Sequence, residues 1–222
     1  MHDGVREIFP TFSQRFEGYV HFMYLDIKGL VTIGIGNLID SEASVRGLPF
    51  TDKTSGARAT PAQIAAEWQK IKHMPELAKK GHKACEPVTE LRLSDDAIAA
   101  LVRERLAGNE ALLKKTFHDW EQWPADAQLG VLSLAWAVGA GFAPKWPKLT
   151  AACQAGDWAG AADNCKLKEA GNPGVVPRNQ ANALLFANAQ QVVAQGLDRS
   201  RLFYPERLQA AAAQPSATGA LA

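Results

Sequence analysis

Apolar positions along the first forty residues change period once. Val5, Ile8, Phe9, Phe12 and Phe16 recur at three- and four-residue spacing, which predicts an amphipathic helix over about 5–16. Pro10 falls inside it as a possible kink, and Gly18 is its natural stop. Residues 19–40 are rich in Tyr, Val, Ile, Thr and Gly and predict short strands, with Asp26-Ile27-Lys28-Gly29 as the turn between two of them. The stretch 40–59 is polar without a clean period and reads as loop.

From Thr60 onward the period is helical. Thr60, Pro61 and Gln63 form a cap, a first-turn proline and a capping-box partner ahead of Ile64, Trp68 and Ile71. Pro75 ends or bends that helix. Ser94-Asp95-Asp96 starts another, with Ile98, Leu101, Val102 and Leu106 on its buried face. Pro124 opens a strongly apolar helix that Gly139 closes. Shorter helices are predicted at 146–155 and 157–168, and a long one from about Arg178 to Gly196. The end, from Gln209 to Ala222, is low-complexity.

The expected fold class is α+β, mainly α. A small β-containing lobe would span about 12–60 and a helical lobe 61–208, with the N-terminal helix packed on the latter and residues 209–222 as a tail. A cleft between two such lobes would be a natural binding site.

Composition narrows the classes. The 222 residues are 47% hydrophobic and 21% charged, with a net charge of +1. That argues against a strongly basic nucleic-acid binder and against an acidic disordered chain. No run is apolar for eighteen residues, so no membrane span is expected. The start, MHDGVREIFP, lacks the signature of a cleaved leader. The five histidines show no metal-ligand spacing, so neither a metal nor another cofactor is expected. Cys85, Cys153 and Cys165 are too few and odd in number for a disulfide framework. Cys153 and Cys165 would lie on adjacent short helices, offset by about 9 Å along their axes at 1.5 Å per residue. Free thiols are therefore expected. Trp120, Trp123, Trp136, Trp146 and Trp158 read as core at helical spacing rather than as sugar platforms. The lysines between Lys72 and Lys83 read as a solvated face.

The chemistry-bearing residues are concentrated in one stretch. Glu17 ends the first helix, where the helix dipole and partial burial would both favour a protonated acid. Asp26 follows nine positions later across a bend, and a second carboxylate near the first suits glycoside hydrolysis. Thr32, in a strand, could hold a water beside Asp26, while Gly34 and Gly36 leave one strand face open to close approach. Taken singly, these residues are a solvated helix-end Glu, a turn Asp and an ordinary strand Thr. Together they point to chemistry.

The stretch EGYVHFMYLDIKGLVTIGIGNLID resembles the active-site segment of the T-even phage lysozyme family: a helix-end Glu, an Asp nine later, a Thr six further on, then I-G-I-G. The match is gapless from Glu17 to Gly36 and includes Gly18, Tyr24 and Gly29. The segment Pro124–Phe142 is similar to that family's central helix and the loop after it, and Pro177-Arg178-Asn179 to the start of its final helix. The resemblance implies a lysozyme-like fold and cleavage of the β-1,4 bond between N-acetylmuramic acid and N-acetylglucosamine. Glu17 would be the general acid, with Asp26 and Thr32 handling the attacking water. It also implies substrate contacts at Tyr24, Gly36, Asn37, Gly141, Phe142 and Arg178. The family commonly has His where this chain has Asn37, and a polar residue where it has Ala137.

On this reading the partner is bacterial peptidoglycan, reached after holin release or secretion. A delivery apparatus or an immunity protein is a possible further partner, no nucleic acid is involved, and the state is monomeric. A lytic transglycosylase, a chitinase-like glycosidase and a non-catalytic wall-binding module remain open alternatives.

Overall fold

The helix predicted from residue 5 forms as α1, Asp3–Glu17, and runs through Pro10 at the loss of one backbone bond. Val5, Phe9 and Phe12 are buried, whereas Ile8 is exposed and Phe16 half-buried. Gly18 ends it with a left-handed φ of +76° while its N–H donates to the Gln14 carbonyl at 3.0 Å. Glu17 is thus the last helical residue.

We describe residues 1–210 of the chain from a computed structural model; the expected tail lies outside these residues apart from Gln209 and Ala210. The protein is mainly helical with a small sheet. It divides into two compact units: Glu7–Leu112, and Met1–Arg6 with Leu113 onward. The chain passes between the units twice, inside α1 and inside a second helix, Asp95–Thr116, rather than after residue 60.

In the first unit, strands β1 (Val20–Leu25), β2 (Val31–Gly34) and β3 (Asn37–Leu38) form an antiparallel sheet in that order. Tyr24 pairs with Thr32, and Ile33 with Asn37. The Asp26–Gly29 turn closes as expected: the Asp26 N–H donates to Leu30 O and the Gly29 N–H to Asp26 O, both at 2.9 Å.

The stretch 40–59 is more ordered than its composition suggests. A short helix, α2 (Glu42–Arg46), starts at Ser41, whose hydroxyl and that of Ser44 make a reciprocal capping box. Strand β4 (Thr51–Asp52) pairs with β5 (Leu91–Arg92). With only Val45 buried in α2, no apolar period exists to detect.

Helix α3 (Pro61–Lys72) carries the predicted Thr60–Gln63 capping box and packs beside β1 and β2, which is why it belongs with the sheet. Its Glu67 carboxylate is buried and accepts from the Glu90 and Leu91 N–H groups at 2.6 and 3.1 Å, fastening β5. Burial pushes the Glu67 pKa up despite these donors. Lys72 is no free surface charge: its ammonium reaches the Asp40 carboxylate at 2.6 Å and the Gly29 carbonyl at 3.1 Å. The other lysines of that run, Lys79, Lys80 and Lys83, are exposed. Three 3-10 turns, Pro75–Lys80, His82–Ala84 and Glu86–Val88, lead to α4 (Asp95–Thr116). Ile98, Val102 and Leu106 are buried as expected, Glu110 and Leu113 are buried as well, and Leu101 is only half-buried.

The second unit is built on α5 (Ala125–Val138), α6 (Pro147–Ala155), α7 (Trp158–Asn164) and α8 (Val176–Ala194). α7 is shorter than predicted, ending before Cys165. α5 is buried from Ala125 to Trp136 and packs against α8. Trp120, Trp123, Trp136 and Trp158 are buried as expected of core, with Trp158 edge-on to Trp123 and stacked on Phe186; Trp146 is half-buried. Cys85, Cys153 and Cys165 are buried free thiols, as expected. No helix among the described residues is long and apolar enough to cross a membrane.

Candidate active site in the helix-to-hairpin unit

Glu17, Tyr24, Asp26, Thr32, Gly36 and Asn37 all belong to the Glu7–Leu112 unit. The helix stop at Gly18 and the β1–β2 hairpin bring them together. Glu17 lies against the turn between β2 and β3. A Cβ placed on Gly36 would come within 2.9 Å of Glu17 Oε2 and 3.2 Å of its Cδ, and Gly36 itself has a φ of +69°. A side chain at this position would therefore be strained and would push the carboxylate away. That gives the open glycine face of the I-G-I-G run a specific occupant.

Asp26 is held by its own turn. Its Oδ1 accepts from the Lys28 and Leu30 N–H groups at 2.8 and 2.9 Å. The Thr32 hydroxyl donates to the Leu30 carbonyl at 3.1 Å, and the same carbonyl accepts from the Asp26 N–H. Leu30's backbone therefore fixes both side chains. The Thr32 oxygen keeps lone pairs to accept from a further donor.

Tyr24 reports on the electrostatics. Burial, then the Glu17 carboxylate, then that of Asp26 push its phenol pKa well above the ordinary value, against the Arg105 guanidinium. Both carboxylates are thus within electrostatic reach of one hydroxyl, which stays protonated at neutral pH. The His82 ring meets the Tyr24 ring edge-on at 5.9 Å.

Arg105 on α4 is a site residue that sequence reasoning missed. Its Nη1 donates to the Gly36 carbonyl at 2.5 Å. A signal was present: Arg105 follows Ile98 by seven and Val102 by three, placing a cation on the buried face of an amphipathic helix. Asn37 is buried, and its Oδ1 has no hydrogen-bond partner.

The remaining expected substrate contacts lie in the other unit. Gly141 is exposed. Phe142 is 2% exposed and meets Trp146 edge-on at 6.1 Å; Arg178 is 4% exposed and donates to the Ser133 carbonyl at 2.9 Å. Neither of these two side chains offers a surface to a sugar; both are packing groups of the helical unit. Among the described residues no group of three His, Cys, Asp or Glu could hold a metal ion.

The Gly36 contact yields a matched pair of variants. Gly36→Ala and Gly56→Ala impose the same left-handed φ of +69° on a side chain, but nothing lies within 4 Å of a Cβ on Gly56. Each should cost about 1–2 kcal/mol of stability from backbone strain alone. Only Gly36→Ala displaces Glu17, so only it should lose the wall-cleaving activity that the resemblance implies, by about a hundredfold for a misplacement near 1 Å. Urea titration and turbidity clearance of wall suspensions measure the two effects. Equal activity of the two variants would disprove the displacement.

No family model matches the chain, and no curated protein matches it.

Proposed function

We propose that the protein is a glycoside hydrolase that cleaves the β-1,4 bond between N-acetylmuramic acid and N-acetylglucosamine in bacterial peptidoglycan, on a lysozyme-like fold. The observation that carries this is the placing of two carboxylates in one helix-to-hairpin unit, Glu17 at the helix end against Gly36 and Asp26 held in the hairpin turn, with both raising the Tyr24 phenol pKa. Thr32 shares the Leu30 peptide with Asp26. Glu17 donates a proton to the departing glycosidic oxygen. Asp26, with the Thr32 hydroxyl, holds and deprotonates the water that attacks from the opposite face. The enzyme works as a monomer on the wall outside the cytoplasm. Partners for its delivery or inhibition belong to the same proposal.

Digestion of purified peptidoglycan with mass spectrometry of the products tests the activity. Reducing-end muramic acid supports it, anhydro-muramic acid indicates a transglycosylase, and no release with retained wall binding indicates a binding module. The water-holding role further predicts inversion. A hydroxyl tied to the same peptide as Asp26 suits two groups gripping one water, whereas a nucleophile would need Asp26 to touch the sugar. Proton NMR of a defined oligosaccharide, read before mutarotation, should show the α anomer first. An initial β anomer would make Asp26 a nucleophile.

A further inference from the structure

The peptide that Arg105 grips is the one on which the Glu17 carboxylate rests. Arg105 Nη1 donates to the Gly36 carbonyl at 2.5 Å. The Cα face of the same glycine is in contact with Glu17, since a Cβ there would lie 2.9 Å from Oε2 and 3.4 Å from Cγ. Gly36 sits in the left-handed region, in the turn that joins Gly34 of β2 to Asn37 of β3. Glycine has the greatest backbone freedom of any residue, so such a turn needs an external anchor to hold one geometry.

Helix α4 supplies that anchor at two points. Ile98 packs on Gly34, with its Cγ2 3.0 Å from where a Cβ would stand. Arg105, two turns further along, holds Gly36. The intervening Val102 and the following Leu106 are buried, so α4 cannot slide without opening its core. A hydrogen bond from a charged donor is about twice as strong as a neutral one. The Arg105 charge also reaches Tyr24, where it opposes both carboxylates.

We infer that Arg105 is a positioning residue for Glu17, fixing through the Gly36 peptide the surface that sets where the acid points; this rests on the hydrolase function proposed above. A side chain that merely stabilised the fold would change the amount of active protein and leave turnover by the folded fraction untouched. A positioning role changes kcat far more than KM, because no residue expected to contact the sugar is itself replaced. Lysine should rescue, since an ammonium can donate to the Gly36 carbonyl in place of Arg105 Nη1.

The experiment compares Arg105→Met and Arg105→Lys with the wild-type chain, on a soluble wall oligosaccharide and by carbon NMR of protein labelled at the glutamate carboxyls. The Glu17 resonance is identified by its loss in Glu17→Gln. For Arg105→Met, kcat should fall about ten- to a hundredfold with KM within about threefold. For Arg105→Lys, kcat should return to within about threefold of wild type. The Glu17 resonance should shift in the Met variant and move back in the Lys variant.

Should Arg105→Met not fold, Arg105→Gln carries the same comparison, because its shorter, uncharged side chain also loses the anchor. A folded Met or Gln variant with kcat within about twofold of wild type overturns the inference, and so does a Glu17 resonance that stays in place. If the wild-type chain releases no reducing ends while the resonance moves as described, the hydrolase function fails and the anchoring of Glu17 by Arg105 stands.

Discussion

Wall lysis by Glu17→Gln should fall by about two to four orders of magnitude, the usual cost of losing a general acid. The fold should survive. Glutamine is nearly isosteric and fits the same place against Gly36, and Val5, Phe9 and Phe12 hold α1 independently of the residue at its end. What disappears is the proton for the departing oxygen. Circular dichroism establishes folding, and turbidity clearance with reducing-end release establishes activity. A folded variant that keeps more than about a tenth of the wild-type rate removes Glu17 from the acid role.

Asp126→Ala should produce the largest loss of stability. Asp126, in the first turn of α5, is fully buried. Its Oδ2 accepts from the Phe203 N–H at 2.9 Å, and its Oδ1 accepts from the Tyr204 N–H at 3.0 Å and Asn188 Nδ2 at 3.1 Å. Asn188 continues the clasp, donating to the Glu206 carbonyl at 2.7 Å and accepting from the Leu208 N–H at 3.0 Å. Together the two residues fasten the segment 203–208 onto α5 and α8. Alanine leaves two backbone donors without their acceptor and costs about 2–4 kcal/mol, since each buried unsatisfied group costs about 1–3 and the segment can partly escape to water. That is a large share of a typical stability of about 5–15 kcal/mol.

The urea midpoint should drop accordingly, and limited proteolysis should cut near residue 203 first. Burial raises the Asp126 pKa above the ordinary carboxylate value in spite of its three donors. With the folded pKa above the unfolded one, the stability linked to this proton is fully present below the unfolded pKa and is lost as pH rises through the folded one. The gap between wild type and the alanine variant should therefore be widest in acid and narrow towards neutral pH. A gap that widens with rising pH, or a midpoint within experimental error of wild type, would contradict this account.

The candidate site was readable to the extent that its parts are close in the chain. Glu17, Tyr24, Asp26, Thr32 and Gly36 lie within twenty residues, and a helix stop followed by one hairpin is enough to bring them together. Arg105 escaped because its partner carbonyl is 69 residues away. Phe142 and Arg178 were assigned to substrate from resemblance alone, and no pattern in the chain distinguishes a sugar-facing side chain from one buried in the helical core.

Elements whose signals are local follow from their own residues. The Thr60–Gln63 capping box, the Asp26–Gly29 turn, the α1 stop at Gly18 and the apolar run of α5 each depend on residues within a few positions of one another. Backbone hydrogen bonds of helices and tight turns close over the same distance, so the pattern and the bond are set together. The order in 42–52 comes instead from the packed fold, where β4 meets a strand about forty residues away. The packed fold also brings Glu67 to the backbone of Glu90 and Leu91. The same holds for Asp126, which in the sequence is an ordinary acidic residue in a helix's first turn and in the structure clasps a segment 77 and 78 positions later. In each case a buried polar group must find a partner wherever the fold brings one, and that choice depends on how distant segments cross rather than on their neighbours in the chain.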